Sequence, residues 1–176
     1  MKKTILFVFL MCLVVSTGCA AKKHAQVHDY VDLPPETEVS SEVKIDFIEM
    51  HNVVLDNMMK DYTPFFFIKE NCFDISGEND PKKIIITVDC LEGTKKEDID
   101  LFLSYVLIEI GKNASEQNYK YKMPTQDNDG TYTSFGTVFD DYDLVLDIKV
   151  NGKEVLYDTT IKRGEKIPTN PRYWSE

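Results

Sequence analysis

The chain has 176 residues, with 20 basic and 30 acidic side chains and a formal net charge of −10. Nucleic-acid phosphates and anionic headgroups demand a basic surface, so this balance excludes a nucleic-acid binder and broad adhesion to acidic lipid. It suits a basic protein partner or plain colloidal solubility.

Lys2 and Lys3 form a short basic start, and Ile5 to Val15 is an unbroken apolar run. Such a run is too short to span a bilayer comfortably and fits the core of an export signal. Ser16, Thr17 and Gly18 are small, and Cys19 follows. The segment resembles a bacterial lipoprotein signal peptide. The resemblance implies a diacylglycerol thioether on Cys19, cleavage after Gly18 and acylation of the new amine. It concerns processing and covers about a tenth of the chain. Ser16 stands where that pattern usually has Leu, and Ser16-Thr17-Gly18 also reads as a site for ordinary signal peptidase. The expectation is an exported, membrane-anchored protein of the cell envelope, with the membrane partner reached through Cys19. Several acyl chains hold a protein firmly, whereas one gives marginal binding.

Removing residues 1–18 takes away two lysines, leaving about 158 residues and a charge of −12. That length suffices for one domain with a real core. Residues 19–41 contain Pro34 and Pro35, mixed charge and no apolar period. They read as a tether. The domain is expected over 42–165, and 166–176 forms a tail with Pro168, Pro171, Tyr173 and Trp174.

In the domain, Val43, Phe47, Met50, Val54 and Met58 recur at helical spacing. They predict a helix over 42–60, capped by Ser40 or Ser41. Phe65 to Ile75 reads as a strand, and Ser76 to Pro81 as turn chemistry. Ile84 to Leu91 reads as the second strand. Thr94 and Glu97 match a capping box. The helix they open carries Ile99, Phe102, Leu103, Val106, Leu107 and Ile110 on one stripe, widened by Leu101, Tyr105 and Ile108. Gly111 is read as its stop, with a long polar connection over 113–130. Phe135 to Phe139 is read as a short strand.

Tyr142 to Val150 alternates apolar and polar residues, and Asn151-Gly152 is the preferred type I′ hairpin turn. A two-residue loop would pair Ile148 with Val155, Leu146 with Tyr157 and Leu144 with Thr159. The fold class is therefore α+β: two helices on one face of a mainly antiparallel sheet, in the order α-β-β-α-β-β-β.

Candidate sites are few. Cys72 and Cys90 remain as an even pair once Cys12 and Cys19 are set aside. In an oxidising compartment they could form a disulfide, worth roughly 3 kcal/mol for a loop of this size; elsewhere they are two buried thiols. His24 and His28, followed by Asp29, lie in the tether, where no preformed helix would present them to a metal. His51 sits on the first helix. Asp127-Asn128-Asp129-Gly130 lacks the end carboxylates of a calcium loop and reads as an Asx turn. Asp140, Asp141, Asp143, Asp147 and Asp158 gather around the last hairpin. Asp143, Asp147 and Asp158 fall on its water face, where they read as a solvated acidic face first and as an acidic binding face second. There is no glycine-rich nucleotide loop, no metal cluster and no catalytic triad, so no cofactor, metal or catalytic residue is assigned.

The leading expectation is a lipid-anchored, non-enzymatic binding or assembly module. One alternative is an acidic inhibitor or immunity protein against a basic wall hydrolase. The other is a carboxylate-dependent hydrolase, which needs two carboxylates in one cleft.

Overall fold

The computed structural model describes residues 44–60 and 65–170. Cys19, His24, His28, Asp29, Ser40, Ser41 and Trp174 lie outside them. Helix α1 spans Phe47–Lys60, followed by strands β1 (Ile68–Asn79) and β2 (Lys82–Cys90). Helix α2 spans Lys96–Gln117, and a small ribbon follows, β3 (Thr125–Gln126) with β4 (Tyr132–Ser134). A 3-10 turn over Thr137–Asp140 leads into β5 (Asp143–Val150) and β6 (Glu154–Ile161).

The main sheet has the order β1-β2-β5-β6. Its outer pairs are antiparallel hairpins, and its central pair β2–β5 is parallel. The fold is thus the expected α+β class with a mainly antiparallel sheet. Parallel neighbours need a long crossover, and here α2 lies within it. The central register sets Ile84 beside Leu144, Ile86 beside Leu146 and Val88 beside Ile148. All six are buried. Facing them, α2 buries Ile99, Phe102, Leu103, Val106, Leu107 and Ile110. Each such side chain contributes roughly 1.5–3 kcal/mol on leaving water.

Helix boundaries follow local hydrogen bonding. The Asp46 carboxylate accepts from the N–H groups of Ile48 (2.9 Å) and Glu49 (3.0 Å). Asp46 thus caps α1, which begins five residues later than the apolar spacing suggested. Thr94 does not cap α2. Its hydroxyl donates to the Leu91 carbonyl at 2.7 Å, and the helix starts at Lys96. The helices run antiparallel: Asp46 exchanges two hydrogen bonds with the Gln117 side chain, and Asn57 Nδ2 donates to Glu109 Oε2 at 2.8 Å.

Glycine decides two other departures. Gly111 does not end α2, which continues to Gln117. A Cβ at Gly111 would overlap the Phe135 carbonyl oxygen, so the missing side chain admits a crossing backbone. Gly77 likewise lies inside β1, which runs to Asn79. A Cβ there would overlap the Phe47 ring and the Lys83 carbonyl. This contact helps α1 cover the exposed edge of β1, where His51 Nδ1 accepts from the Ile75 N–H at 3.1 Å. Phe135 to Phe139 forms no strand: Phe135 lies against α2, and the 3-10 turn begins at Thr137.

The last hairpin has its type I′ turn, with φ of 55° at Asn151 and 67° at Gly152. Its register differs. Val150 already pairs with Glu154, and a further irregularity between Ile148 and Lys149 sets Ile148 opposite Tyr157, Leu146 opposite Thr159 and Leu144 opposite Ile161. The bulge turns Val155 outward and leaves Tyr157 on the core face. In the tail, Ile167 packs against the core.

Gly111→Ala is expected to lower stability by about 1–3 kcal/mol or more, because neither backbone can yield in a packed interior. Thermal or urea denaturation measures it, and an unchanged midpoint would contradict the close approach.

Candidate functional site

The most site-like feature forms where β1 begins and β2 ends. The Leu91 N–H donates to the Phe67 carbonyl at 2.7 Å, tying the two segments together. After Leu91 the chain turns through Gly93, with φ of 84°, into α2. Phe65 packs edge-on against Phe102 at 5.0 Å between ring centroids and against Tyr105 at 5.9 Å. Phe67 also meets Phe102, at 6.3 Å. Phe65 and Phe67, held in this way, help to line an open cleft of about 320 Å³. Phe65, Phe66, Phe67, Leu91 and Leu101 provide its apolar lining; Glu92, Gly93, Thr94 and Asp98 complete it. Phe66 is 82% exposed, and Leu91 and Leu101 are nearly half exposed. Concave apolar surface of this kind marks binding sites.

The acidic face expected from the sequence does not hold together. Asp143 is buried, not on the water face. The Arg163 N–H donates to it at 3.0 Å, and Lys162 Nζ and Arg163 Nε each stand 3.2 Å from it. The Arg163 amide, then the Lys162 and Arg163 side chains, hold its carboxyl at about 2, against the opposing effect of desolvation. Asp147 and Asp158 do share the outer face, directly opposite one another. Lys149 Nζ stands 2.8 Å from Asp147 and relieves that repulsion. Asp141 is held by Lys120, by Lys82 at 3.9 Å and by the Tyr121 hydroxyl. The Lys120 hydrogen bond leads in lowering its pKa. Asp140 is exposed. None of these carboxylates lines the cleft.

A second polar cluster lies inside the fold. Asp100 on α2 is almost fully buried. It accepts from the Tyr157 hydroxyl and from Lys96 Nζ, which also donates to Tyr157 and lies over its ring, 3.8 Å from the centroid. Burial first, then Asp100, raises the Tyr157 pKa. Tyr157 therefore stays a protonated donor and is unsuited to act as a base. The cluster joins the start of α2 to edge strand β6, and its mutual pairing satisfies a buried charge that would otherwise be costly.

The remaining candidates resolve simply. Asp127 Oδ1 accepts from the N–H groups of Asp129 (3.0 Å) and Thr131 (2.9 Å), which is the Asx turn. Among the described residues no three His, Cys, Asp or Glu side chains come together as a metal site. Cys72 and Cys90 are free thiols, not a disulfide. The register sets Ile68 opposite Cys90, and Cys72 falls in the irregular stretch between Ile68 and Phe73. Burial, with a smaller contribution from Asp89, pushes the Cys90 thiol up to about 11.

Sequence reading missed the cleft because it took Phe65 to Phe67 as the start of a strand. The available signal was three consecutive phenylalanines, which period-two alternation cannot bury together. Compared with protein-family models, curated proteins and solved structures, the chain matches none.

Two outcomes check these assignments. In mature protein with Cys19→Ser, iodoacetamide should modify half-buried Cys72 first. Cys90 should react about 100-fold more slowly than an ordinary thiol until the domain unfolds. Asp143→Asn should lower the melting temperature at neutral pH. The parent's advantage is present above the ordinary carboxylate range of about 4 and is lost as the pH falls toward 2. Melts across that window measure it; a gap independent of pH would remove the assigned role.

Proposed function

We propose that this chain is a lipid-anchored envelope protein whose domain is a non-enzymatic binding or assembly module. Cys19 carries the lipid, and residues 19–41 let the domain reach a partner near the membrane surface. The observation that carries the binding reading is the aromatic cleft, where Phe66, Leu91 and Leu101 remain accessible at the rim of a hollow. Binding energy concentrates in aromatic and apolar anchors of this kind. The acidic-inhibitor reading has less behind it, because Asp143 and Asp147 are engaged by Lys162, Arg163 and Lys149.

The test is capture from solubilised envelope with the mature protein as bait, run beside Phe66→Ser and Leu101→Ser. A specific partner retained by the parent and lost at least about tenfold by either variant is expected, as for an interface anchor. A partner retained equally by all three would move the binding surface elsewhere. A purified-protein turnover abolished by one point change would replace the binding reading with an enzymatic one. Radiolabelled fatty acid incorporated by the parent but not by Cys19→Ser is the expected sign of the anchor.

A further inference from the structure

The cleft has a polarity that its apolar lining does not require. Glu92 and Asp98 both line it, both are exposed, and no lysine or arginine joins them in the lining. Neither carboxylate forms an ion pair among the described residues. This contrasts with Asp89, Asp141 and Asp143, which are held by nearby cations. The hollow therefore offers apolar and aromatic surface with two carboxylates beside it that are not ion-paired among the described residues. Its volume of about 320 Å³ lies at the lower end of the roughly 300–1,000 Å³ typical of small-molecule sites, and it is open rather than enclosed. The accessible apolar surface spreads past the hollow, through Phe66, Leu91 and Leu101 to Tyr105 on the next turn of α2.

From this we infer that the cleft takes an extended segment of a partner protein, in which a large apolar side chain stands next to a lysine or arginine. The apolar side chain enters between Phe66 and Leu101. The neighbouring cation is placed by Glu92 and Asp98 and lies within reach of the aromatic faces. Charge complementarity chooses this occupant over the others. A second copy of the chain, itself strongly acidic, would bring like charges together. A membrane rich in anionic lipid would be repelled by the same carboxylates. The inference rests on the binding reading above and narrows it to one class of partner.

The full mature protein is titrated with fluorescent, end-blocked hexapeptides carrying a central Phe-Lys, Phe-Glu or Ser-Lys pair, at low and high salt. The Phe-Lys peptide should bind about tenfold more tightly than Phe-Glu, the preference two exposed ion pairs would give. That preference should shrink at high salt. It should vanish in the double variant Glu92→Gln with Asp98→Asn, while apolar binding persists. Phe66→Ser, at a side chain so exposed that the fold should not depend on it, should lose both peptides. Equal binding of Phe-Lys and Phe-Glu would overturn the inference and leave the binding reading standing. So would a preference that survives the double variant. Phe66-dependent binding to zwitterionic vesicles with no peptide bound would overturn it in favour of a lipid surface. Phe66-dependent self-association would overturn it in favour of a second copy. No peptide bound, together with capture indifferent to Phe66, would overturn both readings.

Discussion

The parallel contact between β2 and β5 is the constraint on which the other elements depend. Two hairpins could each bury one face alone only marginally. Joined side by side in parallel, they present one continuous apolar surface through Ile84, Ile86 and Val88 with Leu144, Leu146 and Ile148. Parallel strands cannot be linked by a tight turn. The chain must travel back between them, and α2 makes most of that return. Its wide apolar surface is therefore both connection and cover, which explains why so few of its positions are free for solvent. The Asp100–Tyr157–Lys96 cluster then fastens its first turn to β6 on the far side of the sheet.

Close backbone approach makes this arrangement tight. At Gly111 the Phe135 segment crosses α2 where a methyl group would not fit, and at Gly77 the Phe47 ring lies on β1. The second contact also addresses a hazard. An uncovered edge strand is a template for unwanted pairing, and α1 blunts the β1 edge with Phe47 and His51. Strand β6, the opposite edge, has no helix laid along it among the described residues and carries exposed Glu154 and Asp158 instead. Charge on an edge disfavours self-pairing by repulsion.

Net charge alone is a poor guide to where an acidic protein binds. The carboxylates most visible in the sequence, around the last hairpin, are largely used within the fold. Asp143 neutralises Lys162 and Arg163, Asp147 meets Lys149, and Asp141 gathers Lys120 and Lys82. Glu92 and Asp98, inconspicuous in the sequence, stand without an ion pair among the described residues, beside an aromatic hollow. What distinguishes them is that neither is ion-paired among the described residues, which is a property of three-dimensional neighbours and not of composition.

Periodicity by itself determined the α+β class, both helices and three of the main strands, because burial of one face imposes its repeat on the chain whatever the partner. It also determined the type I′ turn at Asn151-Gly152, since only such residues accept two positive φ angles in succession. Tertiary structure decided the rest. Alternation says which side chains are buried but not which strand lies beside which, so the parallel centre of the sheet was not legible. Tyr157 comes opposite Ile148 through a Val150–Glu154 pairing at the turn and a bulge beyond it, neither of which alternation reveals. Gly111 and Gly77 read as breakers, yet they serve as contact points, because a missing Cβ has the same appearance in sequence whether the chain turns there or another backbone crosses. The cleft unites residues from β1's approach, the end of β2 and the first turns of α2, segments that only folding brings within reach of one another.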